Sequence, residues 1–500
     1  MKPNRIRTVF SVLVAIVLAF AVAAPAFAAE TSNGYQYTTD SLMKTAQITG
    51  YTGTAITLTI PSVIEGYTVT SLKSEAFKGK TALLSVTIPD TVTTVGSDCF
   101  YGCTLLGSLD LGKGVSSIGT GAFQNCIALS TVKLPAATSS IGADAFRGCK
   151  ALAKYEVNES NLVYKSVDGV LFNRLMTTLI AYPPARSGAS YTVPDVSVID
   201  DYAFSGSKSL SEVTLPASVI TIGKGAFKDC PALTKVVLPQ KLSKLEDELF
   251  SGCKKLSALS FPTTVKSIGA KTFADCVAIQ ALTIPDNVTT VGNEAFAGCT
   301  GIKTVTINKG LTAISGSAFS GCTGIKEFVA SSDANYVAVK GILFSKDGTR
   351  LIAFPAGSTI GSFTIGSKVT TIGANAFDSC KTLKKLTIPA TVKTLVEPCV
   401  KNCGDLVIYV EDGSAAKAYF QSHTTGFSTL KIGADKPGDV NEDGTVDNAD
   451  VILLRRYVAK WKDVTIQKGA ADVNKDNEID NADVILIRRF VAGWKNVTLK

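Results

Sequence analysis

Two stretches near the carboxyl end carry side-chain oxygens at the spacing of a cation cage. Residues 439–450 read DVNEDGTVDNAD and residues 472–483 read DVNKDNEIDNAD. Calcium is a hard cation that takes oxygen ligands, and a 12-residue loop offers them from positions 1, 3, 5, 7, 9 and 12 with a sharp turn at 6. The first copy supplies Asp439, Asn441, Asp443, the carbonyl of Thr445, Asp447 and Asp450, with Gly444 at the turn. The second supplies Asp472, Asn474, Asp476, the carbonyl of Glu478, Asp480 and Asp483. Asn477 replaces the glycine there, and asparagine tolerates the left-handed conformation. Position 12 is aspartate in both copies rather than the longer glutamate. The expected chemistry is capture of two Ca2+ ions.

Little else in the chain is equipped for turnover. Its 500 residues hold one histidine, His423, whereas most serine or cysteine hydrolases need a histidine base. No carboxylate pair recurs in a setting that suggests acid–base work. Charged residues are 18%, the net charge is +8, and no basic block is interleaved with aromatics, so nucleic acid is not an expected partner. Lys2, Arg5 and Arg7 precede an apolar run over 9–23, and Ala26-Phe27-Ala28 follows with a small-x-small pattern. Residues 1–28 therefore read as a secretory signal peptide. No second long apolar run follows, so the expectation is a secreted, extracellular protein with no membrane anchor.

The loops need elements to hold them. Each runs into a segment with 3.6-residue periodicity. In the first, Val451, Leu454, Tyr457, Val458 and Trp461 fall on one side, while Asn448, Ala449, Ile452, Arg455, Arg456 and Ala459 fall on the other. The second repeats the outer set as Asn481, Ala482, Ile485, Arg488, Arg489 and Ala492. So small a module has little core, and metal would staple it. Its duplicated apolar and basic outer face reads as a docking surface.

Residues 438–500 closely resemble a type I dockerin, a calcium-dependent module that binds cohesin domains on scaffoldin subunits of cellulosome-like assemblies. The resemblance implies that Asn448, Ala449, Arg455, Arg456 and Lys460, then Asn481, Ala482, Arg488, Arg489 and Gly493, face the cohesin. Ile452 and Ile485 share that outer face. Gly493 breaks the symmetry with Lys460, and Asn-Ala stands where Ser-Thr is common in the family.

Upstream, a small residue followed by phenylalanine recurs every 23 positions, at Phe77, Phe100, Phe123 and Phe146, then from Phe204 to Phe319, then at Phe377 and Val400. Two intervals of 58 interrupt the period. Such self-similarity marks a solenoid, in which each coil buries its apolar row against its neighbours. The Leu-x-x-Val-x-Ile-Pro stretch, as over 210–216, alternates like a short strand and stacks into a parallel sheet. The longer units share a hairpin insert, "SVDGVLFNRLMTTLIAYP" and "AVKGILFSKDGTRLIAFP", with Gly169 and Gly341 at the turns; the inserts are expected to protrude from the coil or widen it.

The repeated Ile-Gly-x-x-Ala-Phe-x-x-Cys-x-x-Leu-x-x-Val-x-Ile-Pro pattern resembles the BspA-like leucine-rich repeats. The expected fold class is a mainly β leucine-rich-repeat solenoid with short helical turns, followed by a small all-α dockerin with two calcium-binding loop–helix motifs. The expected boundaries are an N-terminal cap over 30–72, repeats over 73–404 with inserts at about 158–195 and 331–368, a C-terminal cap over 405–432, a linker over 433–437 and the dockerin over 438–500.

Ten of the 12 cysteines share one repeat position, and Lys80 and Ser207 fill its remaining slots. Residues at one phase of a solenoid stack in a row with no unique partner, which favours buried free thiols over a disulfide framework or a metal site. Cys99–Cys103 and Cys399–Cys403 stand apart, and a local bridge stays open at each. Thr87, Asp110, Lys133, Glu156, Thr214, Ser260, Thr283, Thr306 and Thr387 are expected on the outward side of the strands. That row either contacts a protein or glycan or solvates the sheet. Both tryptophans lie outside the array, which weighs against a sugar platform within it. The leading expectation is a non-catalytic interaction protein in a cellulosome-like complex; its rivals are a surface adhesin for host, cell or plant-fibre surfaces and an undetected carbohydrate-active enzyme.

Overall fold

The computed structural model describes residues 30–432, 436–441, 445–476 and 478–499. The expected signal peptide and residues 433–435 of the linker lie outside them. No helix among the described residues is long and apolar enough to cross a membrane. The chain divides into two compact units, residues up to 149 with 157–162, and residues 150–156 with 163 onward.

The first unit opens with hairpins and passes into coils. Strands Glu30–Ser32, Tyr35–Asp40 and Thr45–Tyr51 pair antiparallel, and Tyr67–Leu72 joins Thr45–Tyr51 in parallel. The short strands Thr94–Val95, Ser117–Ile118 and Ser140–Ile141 continue that sheet, each residue paired with the one 23 positions earlier. The alternating segments build a second parallel sheet from Thr57–Thr59, Ser85–Thr87 and Ser108–Asp110. Reading each repeat as one strand therefore misses the ladder of Thr94–Val95, Ser117–Ile118 and Ser140–Ile141, whose two-residue strands are too short to show a period.

A third line of bonds runs through the Ala-Phe turns. The amides of Phe77 and Gly79 donate to the carbonyls of Cys99 and Tyr101 in the next coil, both at 2.8 Å, while the Lys78 amide turns back to Glu75 at 3.1 Å. Alternate amides thus serve the stack and the intervening ones close the turn, so the buried backbone is satisfied without a regular helix. Inside, Phe77, Phe100, Phe123 and Phe146 stack with centroids 4.8, 5.3 and 5.5 Å apart. The spacing follows the rise between paired strands, ~4.8 Å.

The second unit repeats the scheme. In its hairpin, Tyr164–Val167 and Val170–Asn173 pair antiparallel around Asp168 and Gly169, both at positive φ. The following strand Thr178–Ala181 pairs antiparallel with Val170–Asn173 and in parallel with Val198–Ile199. The second insert does the same with Tyr336–Val339, Ile342–Ser345 and Arg350–Ala353, the last pairing in parallel with Thr371–Ile372. The third strand of each insert thus belongs to the coil ladder itself, and the hairpin adds strands beside it.

The outer sheet of this unit has a break. Ser190–Thr192, Glu212–Thr214 and Lys235–Val237 form one parallel set, and Ala281–Ile284, Thr304–Ile307 and Glu327–Ala330 another. No strand is formed over 257–263 between them. Phe261 stands there at the position of Ile284 in the next coil. Phe261 sits half-buried, edge-on to Phe273 at 5.9 Å.

In the last coils and after them, Ser362–Thr364, Lys385–Ile388, Val407–Val410 and Thr429–Ile432 pair in parallel. Helix α1, Ala415–Ser422, bridges the last two strands and is capped by Ser414, whose hydroxyl accepts from the Lys417 amide. Helices α2 (Asn448–Val458), α3 (Lys468–Ala471) and α4 (Asn481–Val491) follow. Val440, Val451, Leu454, Ala471, Val473, Val484 and Ile487 form the core of this tail. The short α3 carries no period that a sequence reading could detect.

All 12 cysteines are buried free thiols, Cys99, Cys103, Cys399 and Cys403 included. The row has a use that burial alone does not explain. Cys103 donates its S–H to the Phe77 carbonyl at 3.2 Å, Cys253 to Phe227 at 3.0 Å and Cys322 to Phe296 at 2.9 Å, in each case a carbonyl of the preceding coil. Ser207 fills the slot with a hydroxyl that donates to Phe204 of its own coil at 2.6 Å. Burial pushes Cys149 and Cys299 up to about 12 and Cys103 up to about 11. The thiolate is the reactive form. Because all 12 are buried, none should react promptly with an aromatic disulfide reagent at mildly alkaline pH in the folded chain, whereas all 12 should react in denaturant. Prompt labelling of the native chain would show that the row is open.

Candidate functional site

The tail positions its loops through the first turn of each helix. Asp447 caps α2, its carboxylate accepting from the Ala449 amide at 2.7 Å, and Asp480 caps α4 through Ala482 in the same way. The position-12 aspartates complete reciprocal capping boxes: Asp450 accepts from the Asp447 amide at 2.9 Å and Asp483 from the Asp480 amide at 3.1 Å. Their other oxygens reach the heads of the loops. Asp450 Oδ1 accepts from Val440 at 2.8 Å and Asn441 at 3.1 Å, and Asp483 Oδ1 from Val473 at 2.9 Å. Both side chains are fully buried. A charge so placed is tolerated because amide dipoles surround it.

The remaining donors are placed unevenly. Asp439 is buried, Asn441, Asp472 and Asn474 are half-buried, and Thr445, Asp447, Asp476, Glu478 and Asp480 are exposed. Asp472 and Asn474 each present a side-chain oxygen to the Asp476 amide, at 3.2 and 2.9 Å, which gathers positions 1, 3 and 5 of the second loop. Asp443, Gly444 and Asn477 lie outside the described residues. Among the described residues, no three carboxylate, cysteine or histidine groups converge on one point. The donor set nevertheless fits a hard divalent cation: it is all oxygen, and a carboxylate has about four acceptor sites, of which Asp483 gives two to amides.

The outer helix faces are open. Asn448, Ala449, Arg455, Arg456, Ala459 and Lys460 are exposed, as are Asn481, Ala482, Arg488, Arg489, Ala492 and Gly493. Ile452 and Ile485 are 50% and 47% exposed, high for isoleucine. Val451, Leu454, Val484 and Ile487 are buried on the opposite face. Trp461 corrects the helical reading. It was expected inside, yet it is 61% exposed, because the helix ends at Val458 and Lys460, at φ +54°, turns the chain back. Gly493 takes the same left-handed position at φ +69°, so Lys460 and Gly493 differ in side chain but share a backbone role.

In the array, Thr87, Asp110, Lys133, Thr214, Ser260 and Thr283 are exposed, and Glu156 and Thr306 are half-exposed. Thr387 departs from the row and is buried. Its register partner is Tyr409, which is buried as well. His423 serves the end of α1. Its ring stacks on Tyr419 at 4.2 Å, and its Nε2 lies 3.3 Å from a Glu397 oxygen. The Tyr419 carbonyl at Nδ1 and the glutamate raise its pKa. Ser422 Oγ lies 2.9 Å from Nδ1 but also donates to the Tyr419 carbonyl at 2.9 Å, so this contact closes a helix end.

The model of the BspA type leucine rich repeat region matches residues 57–173, 188–276, 266–346 and 351–415, more than half of the chain. That of the dockerin type I domain matches residues 437–492. No curated protein matches the chain. Among solved structures, a leucine-rich repeat protein of Bacteroides ovatus is 23% identical, with 80% of this chain and 100% of that one covered and a TM-score of 0.44. A leucine rich cell surface protein of Faecalibacterium prausnitzii is 27% identical over 61% of this chain and 95% of its own, with a TM-score of 0.36. A leucine-rich repeat protein of Eubacterium ventriosum is 20% identical over 61% and 91%, with a TM-score of 0.47. Type I dockerin domains typically bind calcium. With a mainly β solenoid of stacked coils and this helical tail, the chain belongs to the BspA-type leucine-rich-repeat family and carries a C-terminal type I dockerin domain.

Proposed function

We propose that this is an exported, non-catalytic interaction protein whose tail docks on a cohesin domain of a scaffoldin and whose array presents a recognition surface for protein or glycan within a cellulosome-like complex. One observation carries the docking half. Two helices each hold the same apolar and basic side chains in solvent, Ile452, Arg455 and Arg456 on α2 and Ile485, Arg488 and Arg489 on α4. The stability of the tail needs the buried faces and gives no reason to write the outer face twice. Asp439, Asn441, Asp443, the Thr445 carbonyl, Asp447 and Asp450 would hold one Ca2+. Asp472, Asn474, Asp476, the Glu478 carbonyl, Asp480 and Asp483 would hold the other. The ions would neutralise the carboxylates and fix the loops from which both helices start.

The threonine-rich outward row supports the recognition half, and a cleft of about 270 Å³ lined by Tyr51, Phe77 and Lys80 adds relief to that unit. Titration calorimetry of the chain against recombinant type I cohesin domains, with calcium and then with chelator, tests the docking reading. Binding that requires calcium is expected. Chelator-insensitive binding, or no binding to any cohesin, would overturn it.

A further inference from the structure

Both tryptophans of the chain stand at the same place, three residues past the last residue of a docking helix. The backbone there follows one plan. Lys460 N–H bonds to the Tyr457 carbonyl at 2.9 Å and Trp461 N–H to the Arg456 carbonyl at 3.0 Å. Gly493 and Trp494 repeat this on Phe490 and Arg489 at 3.0 and 3.1 Å. This is a Schellman ending, in which the residue after the left-handed one ordinarily makes an apolar contact back to the helix. Here the contact is with arginine. The Arg456 guanidinium lies 5.4 Å from the Trp461 ring centre, and that of Arg489 lies 5.2 Å from Trp494.

A cation over one face leaves the rest of the ring in water, and the indoles are 61% and 60% exposed. Sealing a helix end does not need a side chain of that size. Rigid aromatics flanked by arginine are the groups that most often dominate binding energy once a partner desolvates them. Lys462 and Lys495 follow the two rings, with Asp463 next in the first copy and Asn496 in the second, so each ring has an arginine against it and a lysine after it.

We propose that Trp461 and Trp494 are the aromatic anchors of the docking face, each suited to enter a recess on a cohesin whose neighbouring carboxylates pair with Arg456 or Arg489. This rests on the docking reading above and extends the contact surface beyond the helices to their endings.

The test uses the full chain labelled with fluorotryptophan, which gives two indole signals against a silent partner. With calcium and a recombinant type I cohesin, at least one signal should shift and lose solvent contact. The double variant Trp461→Ala with Trp494→Ala should bind roughly tenfold more weakly or worse while taking up calcium as before. Trp461→Leu with Trp494→Leu keeps an apolar side chain at both endings, so its loss of binding could not be ascribed to fraying. If cohesin binds and neither signal moves, or the leucine variant binds as tightly as the native chain, the anchor role falls alone. If no cohesin binds the native chain, the docking reading falls and takes the anchors with it.

Discussion

Replacing Asp450 and Asp483 together by alanine will unfold the tail, abolish calcium uptake and end docking, while the array stays folded. Asp450 accepts three loop amides and Asp483 two, and both are fully buried. Each buried donor left unpaired costs about 1–3 kcal/mol. A module this small rarely holds more than about 3–5 kcal/mol of net stability, so the loss at either loop approaches the whole. The two outcomes can be read separately in one sample. Tryptophan emission reports the tail alone, since both indoles lie there, and the far-ultraviolet β signal is dominated by the array. The expected result is an emission like that of the denatured chain beside an array melting transition in its native place. Chelation of the native chain should move the tail in the same direction. Native emission and calcium uptake in the double variant would refute the assignment of these carboxylates.

The second large effect is expected inside the array. Phe227 is fully buried and stacks between Phe204 at 4.9 Å and Phe250 at 5.4 Å. Phe227→Ala should cost about 3–5 kcal/mol, from lost transfer energy and the cavity left behind. In a chain of nearest-neighbour coils such a loss weakens two interfaces at once. Urea unfolding followed by the β signal should show a lower midpoint for the second unit, and hydrogen exchange should quicken in the coils around 204–250. Phe227→Leu should recover much of the loss. An unchanged midpoint for Phe227→Ala would mean that the ring row does not hold the coils together.

The parts of this structure that were legible in the sequence are those governed by a period. The 23-residue recurrence gives the stack, the cysteine row and the outer strands, because each coil must repeat the geometry of its neighbour. The 3.6-residue pattern separates Val451, Leu454, Val484 and Ile487 from Ile452, Arg455, Ile485 and Arg488, since one helix face meets a core and the other meets water. What escaped notice depends on single contacts. Trp461 fits the inner stripe by count, but a left-handed residue at 460 ends the helix first. Thr387 fits the outer row by count, but it pairs with a buried tyrosine and is itself buried. Phe261 scores as apolar like Ile284, yet no strand forms around it, and nothing in the period announces that break. The oxygen donors of the loops can be named from spacing alone, whereas the burial of Asp450 and Asp483 under loop amides becomes visible only once the chain is folded.

The alternate amides of the Ala-Phe turns and the two parallel ladders give each coil the same donors on one side that it meets as acceptors on the other. Excising one whole 23-residue unit from a regular stretch would therefore bring matching faces together, and duplicating one would do the same. The number of coils is thus a length that can change in whole units without redesigning the strands at either end of the array. The array can thus differ in length by whole coils while the two acidic loops of the tail keep their sequence.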